Sequence, residues 1–347
     1  LVDLSYGYAN ARVKAMKCCL LGEETLRGLF SVGTLSEYID MLENTAYKQS
    51  FVDASTREEG IKLVMAALRM ESDKTVAKIK RIVPDNGREQ LDSLISLWEL
   101  KPLQVILAAK ASSTPVDPLY IDFLDAAGKD KAKTLMDAPD FGKALQALSD
   151  VGYHAISAKA YAEYSHSKDF RIALRMIGRH YYENLASFAK SESDREVRQI
   201  LQAELDFFNT STALRLKNAG VVEKEIHKAL VKPSAASLAL QIAKCPDTAS
   251  AVALLERSFR FPGLSKSYET SKSIWEVELL LEQRMFSRIL RETRVSVLSL
   301  GAIFGYIFLK RREIANLRAI ALSLQFPSRD AFRKSVYTLK GDVGASG

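Results

Sequence analysis

The sequence predicts an all-α fold, and three observations carry that expectation. Helix breakers are scarce in the 347 residues, with 17 Gly and 9 Pro, both below ordinary usage. Ala, Leu, Lys, Glu and Arg are abundant, and they lose little side-chain freedom in a helix. No convincing run of short alternating strands appears, while apolar residues recur at three- and four-residue steps. At 47% hydrophobic the chain can bury sizeable cores, and its length suits two or three domains.

In chain order, YANARVKAMKCCLL (Tyr8 to Leu21) is the first helical stretch. LENTAY (Leu42 to Tyr47) follows, then STRE, where Ser55 and Glu58 have the spacing of a capping box. The helix after it places Ile61, Met65, Leu68, Val76 and Ile79 along one face. LWELKPLQVILAAK begins at Leu97 and SSTPVDP (112–118) reads as a break. A second box, Ser193 and Glu196, precedes VRQILQAEL, and LDFFNTSTALRLK starts at Leu205. FPGLSKS (261–267) reads as another break. The apolar run VSVLSLGAIFGYIFL, Val295 to Leu309, has 15 residues. A spanning helix needs about 20, so a buried helix is expected despite its Gly301-x-x-x-Gly305. In RREIANLRAIALSL, Ile314, Leu317, Ala321 and Leu324 line one face, with Arg312 and Glu313 off it.

A long-period repeat runs through these stretches. ALRM occurs at 67–70 and again at 173–176, 106 positions later. The same offset carries Leu42 and Tyr47 onto Leu148 and Tyr153, and then onto Leu254 and Phe259. It carries the second ALRM onto LLLE, Leu279 to Glu282. Helices built around Glu99, Asn209 and Asn316 follow the three leucines, and a fourth, around Asn10, precedes them. Such a period exceeds that of a solenoid and suits a small helical domain. The expected units are 1–96, 97–204 and 205–347, the last including a closing C-terminal helix and tail. Leu68 and Leu174 are expected at matching core positions, and Arg69 and Arg175 at matching polar ones.

Reactive constellations are missing from the sequence. There is no GxxxxGK[ST] loop and no GxGxxG after a strand. His154, His166, His180 and His227 are scattered without metal-ligand spacing. The expectation is a non-enzymatic chain with no cofactor and no metal. The three cysteines, Cys18, Cys19 and Cys245, form no CxxC pair. They argue against a disulfide scaffold and for a reducing, cytoplasmic setting. Cys18 and Cys19, about 100° apart on a helix, are expected as small core fillers. The sequence opens on Leu1 without a Met, so a trimmed or incomplete start is expected, and no signal peptide is visible.

The formal charge is +7, from 49 basic and 42 acidic residues. The basic clusters VKAMK (13–17), KIKR (78–81), LKRRE (309–313) and RKSVYTLK (333–340) are short and carry no nucleic-acid motif. Each is expected to be a solvated helix face or end. Together they leave open an all-α scaffold or a nucleic-acid-binding adaptor.

YGYANARVKAMKCCLL (Tyr6 to Leu21) resembles the Y-x-Y-x-NARVRAMK-x-x-LL motif of the C-type subunit of A/V-type rotary ATPases, a family related to the d-type subunit of the vacuolar proton pump. LENTAY is similar to that family's L-x-x-T-x-Y. DFFNTSTALRLK (Asp206 to Lys217) is similar to D-x-x-N-L-x-T-x-L-R-x-K, and GYIFLKRREIANLRAIA (Gly305 to Ala321) to G-Y-x-x-x-K-E-x-E-I-x-N-L-R-x-I. The resemblance runs from Tyr6 to about Tyr337. The chain departs from it at Glu99, where Asn is favoured.

This resemblance implies three similar helical domains in a pseudo-threefold, funnel-like arrangement. It implies a non-catalytic socket or spacer between the central stalk and the membrane rotor ring of proteolipid subunits, transmitting torque for ATP-linked ion transport. The chain would sit peripherally on the cytoplasmic face, without a membrane span of its own and without nucleic acid. Asn10, Arg12, Asn209, Arg215, Asn316 and Arg318 recur once per helix of this kind, except the second. They are expected to satisfy carbonyls between domains, with some facing a partner. Glu313 joins this candidate set, and Arg12, Lys14 and Lys17 are expected to help dock the ring.

Overall fold

A computed structural model describes residues 6–115, 126–192, 194–295, 299–338 and 341–342. The described residues form eighteen α-helices and one two-residue antiparallel ladder, Tyr337–Thr338 against Gly341–Asp342. The fold is all-α, as the composition and periodicity imply. No helix among the described residues is long and apolar enough to cross a membrane.

The chain divides into two compact units. Leu1–Ile177 and Val297–Gly347 make the first, and Gly178–Ser296 the second. The first unit starts with α1 (Gly7–Lys17), α2 (Glu23–Ser31), α3 (Leu35–Glu43), α4 (Lys48–Ser55) and α5 (Gly60–Ile82). It continues with α6 (Arg88–Ala111), α7 (Ala126–Asp137), α8 (Phe141–Ala147) and α9 (His154–Ser167). Helix α10 (Phe170–Ser191) carries the boundary. The second unit holds α11 (Arg195–Asn218), α12 (Glu223–Ala229), α13 (Leu238–Lys244), α14 (Thr248–Phe259), α15 (Leu264–Ser271) and α16 (Trp275–Val295). Helices α17 (Leu300–Ser323) and α18 (Asp330–Ser335) return to the first unit.

Amphipathic faces decide the packing. In the first unit, Met65, Leu68, Phe51, Tyr38 and Leu42 are fully buried together with Leu317, Ile320 and Ala321 of α17. Tyr38 donates its hydroxyl to the Leu317 carbonyl at 2.8 Å, which satisfies the one polar atom of a buried ring. In the second unit, Leu214, Ile226, Ile242, Val252, Leu255 and Val277 form a separate core. Removing such side chains from water is the main favourable term, roughly 1.5–3 kcal/mol for each large one.

The order of elements recurs along the chain. Helices α6, α11 and α17 each have 24 residues. Helices α5, α10 and α16 have 23, 22 and 21, and the three stretches 67–70, 173–176 and 279–282 lie one in each. Helices α3, α8 and α14 start at Leu35, Phe141 and Thr248. Their caps Thr34, Asp140 and Asp247 each accept a hydrogen bond from the amide three residues on. Within the two ALRM stretches, Ala67 and Ala173 are both fully buried. Leu68 is fully buried but Leu174 is only half-buried, and Arg69 is half-buried where Arg175 is exposed.

Several local expectations are corrected. Ser55 does not cap α5. It closes α4, its hydroxyl donating to the Val52 carbonyl at 2.9 Å, because buried Phe51 and Ala54 carry α4 up to the first residue of the proposed box. Ser193 lies outside the described residues. The cap of α11 is Asp194, whose carboxylate accepts from the Glu196 and Val197 amides at 2.9 and 3.1 Å. Of the 261–267 break only the first part is loop, since α15 begins at Leu264, just after Gly263 in the left-handed region at φ 92°. The 112–118 break is a turn over 112–115, and 116–118 lie outside the described residues. The apolar run from 295 is not one helix. Its last ten residues open α17, where Leu300, Gly301 and Ile303 to Phe308 are buried.

Candidate functional site

The polar residues singled out in the sequence sit mostly at joints between helices. Asn10 donates from Nδ2 to the carbonyls of Tyr6 (3.0 Å) and Ser299 (3.1 Å), tying α1 to the residue that caps α17. Asn209 is 2% exposed and faces the loop after α12. Its Nδ2 donates to the Val231 carbonyl at 2.9 Å and its Oδ1 accepts from the Val231 amide at 2.8 Å. One side chain therefore satisfies both backbone groups of a buried residue. In the same motif, Asp206 pairs with Arg288 at 2.6 Å, Arg215 pairs with Glu278, and Lys217 donates to the Ala243 carbonyl at 2.8 Å. Helix α11 is thereby tied to α16 and α13.

Asn316 is buried, and its Oδ1 accepts from Arg312 Nε at 2.9 Å. Arg312 also donates to the Ser335 carbonyl at 2.6 Å, holding α18 against α17. Arg318 is half-buried on α17. Glu99 lies in α6 and its side chain is outside the described part.

The densest polar cluster gathers around Lys310. The sequence placed LKRRE on a solvated face, yet Lys310 is 5% exposed and Glu313 6%. Lys310 Nζ stands 3.0 Å from Glu313 Oε1, 3.3 Å from Glu71 Oε1 and 3.0 Å from the Tyr47 hydroxyl. It also lies 4.2 Å from the centroid of the Tyr47 ring, a cation–π arrangement. Tyr47 donates to Glu313 Oε1 at 2.7 Å, and Glu313 Oε2 accepts the Leu21 amide. Ser50 donates to Glu71 Oε2 at 3.2 Å, and Thr75 hydrogen-bonds to Tyr306. The buried position results from α17 being apolar on most of its circumference. A basic–acidic pair on such a helix is carried inside, where an ion must be paired and hydrogen-bonded.

Burial pushes the Tyr47 hydroxyl well above the ordinary tyrosine value, and the Glu313 carboxylate it bonds adds to the effect. Burial also raises Tyr306, with Glu71 contributing. Both phenols therefore stay neutral at neutral pH, and Tyr47 is the one seen donating, to Glu313. Sequence reasoning missed Glu71, Tyr47 and Lys310 as functional candidates. For Tyr47 and Lys310 the signal was present, since each occupies a defined position in a family motif, as Glu313 does.

Three candidates face outward. Arg12 and Lys14 are exposed on α1 and Lys17 is half-buried, its ammonium lowered from the ordinary lysine value by burial. None of the three forms an ion pair among the described residues, and α1 contains no acidic residue. Cys18 and Cys19 are exposed rather than core fillers, because α1 ends at Lys17 and they fall in the following turn. Among the described residues no group of three or more His, Cys, Asp or Glu is placed to hold a metal.

These residues define a class first: an all-helical protein whose polar side chains join its helices, with a cationic face left outside on α1. The family model for the ATP synthase (C/AC39) subunit matches residues 9–333, and the chain belongs to that family. Relatives named as the C subunit of A-type ATP synthase agree along most of their length. The one from Thermococcus kodakarensis is 25% identical over 319 residues, covering 91% of this chain and 85% of the relative. The one from Haloquadratum walsbyi is 27% identical over 327 residues, covering 90% and 92%.

Proposed function

We propose that the chain is a non-catalytic subunit of the central stalk of an A/V-type rotary ATPase, a socket that couples the stalk to the membrane rotor ring and passes torque between them. The observation that carries this reading is the family match over residues 9–333. Three structural features support it. The packed helical cores resist deformation, as torque transfer requires. The order of capped short helix, long helix and 24-residue helix recurs three times (α3, α5, α6; α8, α10, α11; α14, α16, α17) and supports three related units; the bounds 1–96, 97–204 and 205–347 fall inside α6 and α11, so neighbouring units would share those helices. The unpaired cations of α1 supply docking charge for the polar loops of the ring. On this reading the protein is peripheral, at the cytoplasmic face, and the chemistry of ATP takes place in other subunits.

The test is retention of the full chain on purified rotor ring and on isolated stalk subunits, at low and raised salt, with ATP turnover measured alongside. Salt-sensitive retention by both and no turnover is the expected result. Absence of ring binding, together with steep salt-dependent binding to DNA or RNA, would replace the motor reading with that of a nucleic-acid adaptor.

A further inference from the structure

We infer that the buried cluster of Lys310, Glu313, Glu71 and Tyr47 is a positioning lock that seats helix α1 on α17, and that it serves the orientation of α1 more than the stability of the fold. The lock itself stands on the geometry of the first unit. Its consequence for docking rests on the proposed ring-binding reading.

Helix α1 has little to fix its setting by shape. It is 11 residues long, too short to be stable alone. Its buried side chains are Ala9 and Val13, two small groups that tolerate rotation and sliding. Burial of apolar area is non-directional, so directional bonds must choose the register. Two such bonds stand among the described residues, one toward each end of α1. Asn10 binds the Ser299 carbonyl ahead of α17. The Leu21 amide, beyond the end of α1, binds Glu313 Oε2 in the middle of α17. The second bond is the stringent one. Glu313 accepts the Leu21 amide through one oxygen, while Tyr47 and Lys310 hold the other at 2.7 and 3.0 Å. Lys310 is in turn held by Glu71 on α5. Separate stretches of chain thus fix the orientation of one carboxylate, and that carboxylate aims at the α1–α2 connection.

The cluster is poorly suited to the alternative role of a stabiliser. Two charged side chains, Lys310 and Glu313, are removed from water here and Glu71 is largely so, and exchanging such a set for apolar groups of similar volume is often neutral or stabilising. What apolar groups cannot do is accept the Leu21 amide. The face carrying Arg12 and Lys14 would then lose its fixed aim.

The experiment uses the full chain with the triple replacement Lys310→Met, Glu71→Met and Glu313→Leu. Amide hydrogen exchange of residues 18–22 and retention on purified rotor ring are both measured. A melting temperature near that of wild type is expected, because relief of the buried charges is offset by the Tyr47 hydroxyl and Leu21 amide left without partners. The Leu21 amide should exchange faster by about tenfold or more, as for loss of a charge-assisted hydrogen bond, and ring retention should weaken at unchanged salt. Asn10→Ala, which releases the other end of α1, should add to the exchange effect. Unchanged Leu21 exchange in the folded triple variant would overturn the lock. Faster exchange with unchanged ring retention would overturn its role in docking. If the triple variant does not fold, the cluster is a stabiliser and the inference fails in that respect. Glu313→Gln then decides the tether alone, with faster Leu21 exchange supporting it and unchanged exchange refuting it. If wild type fails to bind the ring, the proposed function falls while the exchange result still reports on the lock.

Discussion

At the scale of single residues, a lysine ammonium inside a helical core has to find its counter-charges there, and Lys310 does so with Glu313 and Glu71. Removing one partner leaves the others buried and uncompensated. Glu313→Ala alone should therefore cost about 3–5 kcal/mol in urea unfolding, unlike the balanced triple replacement. Asn209→Ala should also be costly, since it orphans both the amide and the carbonyl of buried Val231. A loss of about 2–4 kcal/mol, read from a denaturant midpoint, is expected. The tyrosines set the behaviour in alkali. The Tyr47 pKa is raised from 10.0, so its contribution is complete below that value and is lost as pH rises toward the folded pKa. Stability should fall above about pH 10, and Tyr47→Phe should flatten that fall while lowering stability at neutral pH.

At the scale of elements, the ends of helices carry the repeat. Thr34→Ala removes a bond to the Glu37 amide at 3.2 Å and should cost about 1 kcal/mol by thermal melting. The equivalent Asp247 has its carboxyl pKa lowered by the Ser250 hydrogen bonds. Its contribution is therefore present above the ordinary aspartate value and lost as pH falls through the folded one. Asp247→Ala should destabilise at neutral pH, and the difference from wild type should vanish in acid. Helices α9 and α15 also share an ending. Lys168 and Lys272 sit in the left-handed region at φ 56° and 54°. Each amide returns to the carbonyl of the tyrosine four residues back, and the two ammonium groups lie 5.9 and 5.8 Å from those tyrosines' ring centroids. At position 168, Gly should be more stable than Ala by about 1 kcal/mol, reversing the order that holds inside a helix.

At the scale of the whole molecule, charge decides association rather than fold. The net +7 is modest, and some surface cations are paired, as Lys80 is with Asp92 at 2.9 Å. Arg12, Lys14 and Lys17 on α1 form no ion pair among the described residues. Reversing Arg12, Lys14 and Lys17 to Glu should leave the far-UV spectrum and melting temperature near wild type, because Arg12 and Lys14 are exposed and Lys17 is only half-buried. Retention on the rotor ring should fall and lose most of its salt dependence. Unchanged retention of the triple reversal at both low and raised salt would show that another surface carries the docking.

The sequence by itself determined the all-α class, the family and the long-period marks, because these depend on local quantities: breaker scarcity, apolar spacing and motif order. It located Asn10, Asn209, Glu313 and Asn316, whose motif positions make them visible. It could not assign them a side. Whether LKRRE faces water depends on how much of α17 is covered, and only the return of α17 onto α5 and α1 put Lys310 inside. The cap of α5 failed for a similar reason, since Ser55 was claimed by a helix that tertiary burial of Phe51 and Ala54 extends. Glu71 follows the first ALRM directly but belongs to none of the family motifs, and it was invisible until packing brought α5 against α17. Local propensity is written residue by residue, but the dielectric around a charge is a property of everything that folds over it.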